Sequence, residues 1–161
     1  METLQITKEQ AIEAYKIATP DTKKVLEKLF KKETFITDIR DRVKSYEDAC
    51  ELLGLTPLTL EQFSFLPEKD REYHYHDHRM VIITRALNEG WEPDPSNPDE
   101  PKYYVWHQWV SSGSGFAYYI CSYVHSLSYV GARHEIKSKE LAVYFAKQFI
   151  GEVNKCFIIE K

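Results

Sequence analysis

A chain of 161 residues can bury one hydrophobic core, so we predict a single domain over residues 1–161. The formal charge of −4 disfavours nonspecific nucleic-acid binding, because affinity for phosphate backbones grows with the number of available cations. Three widely spaced cysteines without a C-x-x-C pair argue against a disulfide framework and against a thiolate zinc site.

The amino-terminal half, residues 1–91, carries the signals of several helices. Capping and first-turn proline patterns mark four helix starts: Thr7-x-x-Gln10, Thr19-Pro20, Ser45 and Thr59-x-x-Gln62. Gly54 stands where a helix that begins after Ser45 would end in a left-handed residue. The longest candidate helix covers residues 68–89 and places Met80, Ile83 and Leu87 on one face, so we expect these side chains to be buried.

Beyond residue 91 the sequence predicts a loop and then a sheet. Residues 92–101 contain four prolines, which favour a loop between the halves. Stretches rich in aromatic and β-branched residues predict three antiparallel strands: 102–110, 116–125 and 129–137, with 111–115 as a hairpin connection. Ser138 caps a predicted helix over 139–153, and residues 156–159 are apolar enough for a last strand or a docked tail.

These patterns together predict an α+β fold. We expect the helical half, 1–91, to pack on a small antiparallel sheet of about three strands, with a C-terminal helix after the sheet in residues 102–161. The loop over 92–101 then joins the two halves of one domain.

Four stretches of the chain resemble a known group of sequences: 45-SYEDACELLG-54, 86-ALNEGWEPD-94, 102-KYYVW-106 and 130-VGARHEIKSKELAVYFAKQF-149. Their order is similar to that in a family of uncharacterised proteins encoded by phages and prophages of gut bacteria, and the resemblance covers roughly residues 45–150. Val105 and His107 stand where that family usually has Pro and Phe, and residues 132 and 134–136 also differ from its pattern. The resemblance implies a phage or prophage origin and no particular activity.

The run 74-HYHDH-78 is the clearest candidate for metal chemistry. On a helix, Asp70, His74 and His78 recur at every fourth residue, so their side chains could hold a divalent metal from one face. His76 points instead toward the apolar face. The alternative is a solvated polar face with one histidine in a helix interface.

A nucleophilic enzyme would need a Ser or Cys beside a positioned His. Cys121, Ser122 and His125 are close in sequence, but no G-x-S-x-G elbow or glycine-rich oxyanion loop accompanies them. We therefore expect no catalytic residue here.

The aromatic strands offer a candidate ligand surface. If Lys102, Tyr104 and Trp106 share a face with Arg133 and Lys137 of the next strand, stacking and charged hydrogen bonds could hold a ring and a phosphate. Alternation places Arg133, Glu135 and Lys137 on that face and sends Ala132, His134 and Ile136 to the core. The alternatives are a homo-oligomer interface, which is enriched in the same residue types, and plain core packing.

We predict a non-catalytic phage or prophage accessory protein that acts by binding and needs no cofactor. Its expected partners are a second copy of the chain, a host or phage protein, or a nucleotide or single-stranded nucleic acid. A metal-dependent enzyme centred on His74 and His78, and a structural or packaging component of the virion, remain alternatives. No window approaches the roughly 18 apolar residues of a spanning helix and no signal-peptide pattern opens the chain, so we expect a cytoplasmic location without a membrane partner.

Overall fold

The computed structural model of the chain describes residues 6–30, 32–110, 113 and 115–159. These residues form helices and one two-stranded antiparallel sheet, which confirms the α+β class. They group into two compact units that divide between Arg42 and Val43. Within the described residues, no helix is long and apolar enough to cross a membrane.

The first unit is helical. It contains α1 (Lys8–Ile17), α2 (Pro20–Phe30), a 3₁₀ turn (Lys32–Phe35) and α3 (Ile39–Arg42). The predicted capping box is present, since the Thr7 hydroxyl accepts the Gln10 N–H and the Gln10 side chain accepts the Thr7 N–H. The rings of Tyr15 and Phe35 stack with centroids 4.1 Å apart, and they hold α1 against the 3₁₀ turn.

The second unit begins with α4 (Tyr46–Leu53), a 3₁₀ turn (Leu60–Phe63) and the long helix α5 (Glu68–Asn88). Ser45 caps α4, and Gly54 ends it with φ +66°, as predicted. The prediction for α5 is also confirmed, because Met80, Ile83 and Leu87 are all buried. This helix is the centre on which the rest of the unit packs.

The sheet pairs β1 (Lys102–Val110) with β2 (Gly115–Val124). Trp106 lies opposite Ile120 and His107 opposite Tyr118, so a β-bulge leaves Tyr119 without a partner. Of the predicted hairpin connection, residues 111, 112 and 114 lie outside the described residues.

The prediction of a third strand over 129–137 is wrong. Residues 132–134 form a 3₁₀ turn after Gly131, whose φ of +79° turns the chain, and a single bridge joins Ile136 to Tyr103. The Asn88 side chain makes hydrogen bonds to backbone groups that a strand pair would otherwise use. Its Nδ2 donates to the Glu135 carbonyl at 2.9 Å, and its Oδ1 accepts the Lys137 N–H at 3.0 Å. The predicted alternation fails as well, because Glu135 and Ile136 are both buried and Ala132 is exposed.

The C-terminal helix is divided. Ser138 caps α6 (Lys139–Gln148) as predicted, but Phe149 interrupts the helix and α7 (Ile150–Phe157) follows. The predicted strand over 156–159 is absent, since residues 156 and 157 belong to α7. Both helices pack on the sheet, and α7 also packs on α5.

Candidate functional site

The predicted aromatic and basic face does not form. Lys102 is 1% exposed, and its Nζ donates to the Glu100 carbonyl at 3.0 Å and pairs with the Glu100 carboxylate at 3.2 Å. Tyr104 is buried and contacts the rings of Trp106 and Tyr129. Lys102 and Tyr104 therefore belong to the packing of the unit and are not free to meet a ligand.

The other predicted ligand-binding residues lie apart from one another. Lys137 pairs with Glu89, with Nζ 2.7 Å from a carboxylate oxygen, and Trp106 is exposed on the hairpin. Arg133 is exposed on the 3₁₀ turn and lines a different cleft. Of the five residues, the structure brings together only the rings of Tyr104 and Trp106, with centroids 5.9 Å apart.

We call the cleft beside Arg133 the arginine cleft. It has a volume of about 340 Å³ and is lined by nine residues: Val81, Thr84, Arg85, Asn88, Trp91, Glu92, Pro93, Ala132 and Arg133. Among the described residues, neither Arg85 nor Arg133 has an ion-pair partner. Thr84 is 1% exposed, and its hydroxyl has no hydrogen-bond partner in the described part of the chain. The cleft thus combines two free guanidinium groups with an aromatic ring and a buried hydroxyl.

The outer half of the hairpin carries a second surface, which we call the hairpin patch. It consists of Trp106, Gln108, Trp109, Tyr119 and Ile120, which line one shallow groove with His107. The four large apolar members are between 50% and 62% exposed. None of the five is charged, and burial lowers the pKa of His107, so the groove is neutral near pH 7.

The edge of the sheet beside the patch is also open. In the described part of the chain, β2 has β1 as its only strand partner, and the Asn154 side chain covers its outer edge at Phe116 alone. Unpaired N–H and C=O groups on a strand edge are a template for pairing with another chain.

The predicted metal residues do not assemble a site. His74 is exposed, whereas the His78 ring lies against Tyr46 and Phe63, and burial lowers its pKa. Asp70, His74 and His78 belong to no cluster of three or more metal-ligating side chains, and the described residues hold no such cluster elsewhere. The helix thus spreads these residues between solvent and an aromatic interface.

His76 instead joins an ionic cluster between α5 and α7. Its Nδ1 lies 2.5 Å from a Glu152 carboxylate oxygen, and its Nε2 lies 3.1 Å from Glu72. Arg79 donates to both oxygens of Glu152 at 2.8–3.0 Å and lies over the Tyr46 ring. Sequence reasoning placed His76 in a helix interface but missed Arg79 and Glu152, which are 73 residues apart.

Cys121 of β2 and His125, which directly follows the strand, do not form a nucleophile pair. Burial raises the pKa of the Cys121 thiol, which disfavours the reactive thiolate. His125 is exposed, and its ring packs against Tyr123.

Comparisons with known proteins give no relatives: no family model, no curated protein and no solved structure matches this chain.

Proposed function

We propose that this chain is a non-catalytic binding protein of phage or prophage origin that works in the host cytoplasm, and that the hairpin patch is its contact surface. The observation that carries the proposal is the hairpin patch itself, in which four half-exposed large apolar side chains lie side by side without a charge. Scattered exposed apolar residues are normal, but contiguous ones mark interaction sites.

A second copy of the chain is the occupant that fits best. A neutral apolar surface can face its own copy about a two-fold axis without bringing like charges together. We therefore expect an isologous dimer that buries Trp106 and Ile120 at its centre.

The double substitution Trp106→Ser and Ile120→Ser is expected to convert the dimer to a monomer at tens of micromolar protein. These side chains lie opposite each other across the strands, so their loss removes the apolar centre of the contact. Sedimentation velocity over a concentration series measures the change.

Phe65→Ser is the matched control, because Phe65 is 80% exposed and lies outside the hairpin patch. This variant should sediment as the wild type does. A wild-type protein that stays monomeric at high micromolar concentration contradicts the dimer. If such a monomer binds a host or phage protein and the binding depends on Trp106, the hairpin patch contacts that protein instead.

A second candidate function is the binding of a small planar anion in the arginine cleft. The two unpaired guanidinium groups and Trp91 favour it, because arginine matches phosphate oxygens and an indole ring stacks on a base. Glu92 partly offsets the positive charge. This candidate keeps Arg133 from the sequence prediction and replaces Lys137, Tyr104 and Trp106 with Arg85 and Trp91.

Replacing both Arg85 and Arg133 with alanine is expected to weaken the binding of a nucleoside monophosphate by about tenfold or more, since charged hydrogen bonds are lost. Calorimetry with adenosine monophosphate and adenosine measures the phosphate contribution directly. Lys69→Ala, at an exposed position of α5, is the charge control. If the nucleotide and the nucleoside bind with equal affinity, the two arginines do not bind the phosphate group.

A further inference from the structure

The second unit contains a cavity of about 250 Å³ between α5, β1 and the C-terminal helices. Its inner wall is apolar and includes the buried side chains of Met80, Ile136, Phe145 and Val153. Tyr73 and Phe157 also line it, and each is about half exposed, so the cavity reaches the surface beside them.

The size of this cavity indicates a ligand larger than water. Protein interiors are close-packed and hold few voids larger than one water molecule. An apolar cavity of about 150 Å³ made by mutation stays dry and binds benzene. A cavity of about 250 Å³ with an apolar wall therefore has room for a small ring or a short branched chain.

One carboxylate gives the cavity a polar end. The Asp77 carboxylate lies beside His134, with Nε2 3.1 Å from Oδ1, and no described residue makes a hydrogen bond to its other oxygen. Asp77 acts on its neighbours: it raises the pKa of Tyr73, and burial together with Asp77 raises the pKa of the Cys156 thiol to about 11.

We propose that this cavity binds a small amine with an apolar body, with the ammonium group on Asp77 and the body against Met80, Phe145 and Val153. A cation satisfies the free carboxylate oxygen and is attracted to the faces of the tyrosine and phenylalanine rings around it. The Asp77 carboxylate would repel a ligand carboxylate, and a neutral ligand would leave its second oxygen without a charged partner. This site shares His107 with the groove of the hairpin patch and is separate from the arginine cleft.

Three ligands of nearly equal size test the proposal on the full chain. Calorimetric titration compares 2-phenylethylamine, 2-phenylethanol and 3-phenylpropionate, which differ in the charge of one group. We expect the amine to bind about tenfold or more tightly than the alcohol, and the carboxylate not to bind. Equal binding of amine and alcohol, or no binding of the amine at millimolar concentration, overturns the proposal.

Variants locate the binding. Asp77→Asn should reduce the affinity for the amine to that for the alcohol, whereas Asp70→Asn, the same change on the same helix outside the cavity, should leave it unaltered. Val130→Phe keeps every charge but fills the cavity, so it should abolish the binding of amine and alcohol alike. Amine binding that survives both Asp77→Asn and Val130→Phe places the ligand elsewhere and overturns the site. If Asp77→Asn fails to fold, Val130→Phe and the ligand series decide the question on their own.

Discussion

Leu87→Ala is expected to lower the free energy of unfolding by about 2–5 kcal/mol. Leu87 has no exposed surface and lies in the last turns of α5, between other fully or nearly fully buried residues such as Ile83 and Ala86. Truncation removes apolar contacts and leaves a cavity that a helix in a packed core cannot close. Urea unfolding followed by circular dichroism measures the loss.

Leu55→Ala is the control for this substitution, because Leu55 is exposed and lies outside any helix or strand. The same chemical change there should cost well under about 1 kcal/mol. A loss of similar size at both positions would show that α5 is not the centre of the packed unit.

Glu152→Ala is expected to destabilise the protein by about 3 kcal/mol or more, because it leaves the Arg79 charge without its main partner. The side chains of Arg79 and Glu152 are 15% and 14% exposed, so water replaces little of the lost contact. Glu51→Ala, at an exposed position of α4, is the matched control and should have little effect. Urea unfolding of both variants measures the difference, and equal losses would contradict the ionic cluster.

The same glutamate gives a pH dependence. Burial alone would raise the pKa of Glu152, but hydrogen bonds from His76 and Arg79 outweigh it and hold the pKa below its ordinary value. A depressed folded-state pKa stabilises the fold above the unfolded-state value of about 4.3, and this contribution is lost as the pH falls through the folded-state pKa. The difference in the free energy of unfolding between wild type and Glu152→Gln should therefore narrow between about pH 5 and pH 3. A difference that does not change with pH would contradict the lowered pKa of Glu152.

Local signals predicted much of the helical structure. The caps at Thr7, Ser45 and Ser138 and the apolar face of α5 depend on residues within one or two turns, so the sequence shows them directly. The third strand failed because its decisive partner is Asn88, about 50 residues earlier, which takes the backbone groups that a strand would have paired. Propensity alone contains no information about such a distant side chain.

The candidate sites were harder to predict for the same reason. The sequence predicted Lys102 as a surface cation, but its ammonium group donates to the carbonyl of Glu100, two residues earlier. Tyr104 is buried and packs against Tyr129. Asp77 and His134 meet only after the 3₁₀ turn replaces the expected strand. Trp106, by contrast, is exposed, as its predicted place on a ligand surface or an oligomer interface requires.

Fluorine NMR of protein labelled with 5-fluorotryptophan tests the hairpin contact most directly. The chain has three tryptophans, so three resonances are expected and single substitutions assign them. Trp106 and Trp109 belong to the hairpin patch, whereas Trp91 lines the arginine cleft and serves as an internal reference. If the hairpin patch is the dimer contact, the resonances of Trp106 and Trp109 shift as the protein concentration rises and that of Trp91 stays constant. Three resonances that remain unchanged from low micromolar to millimolar protein, or a shift of Trp91 alone, would contradict it.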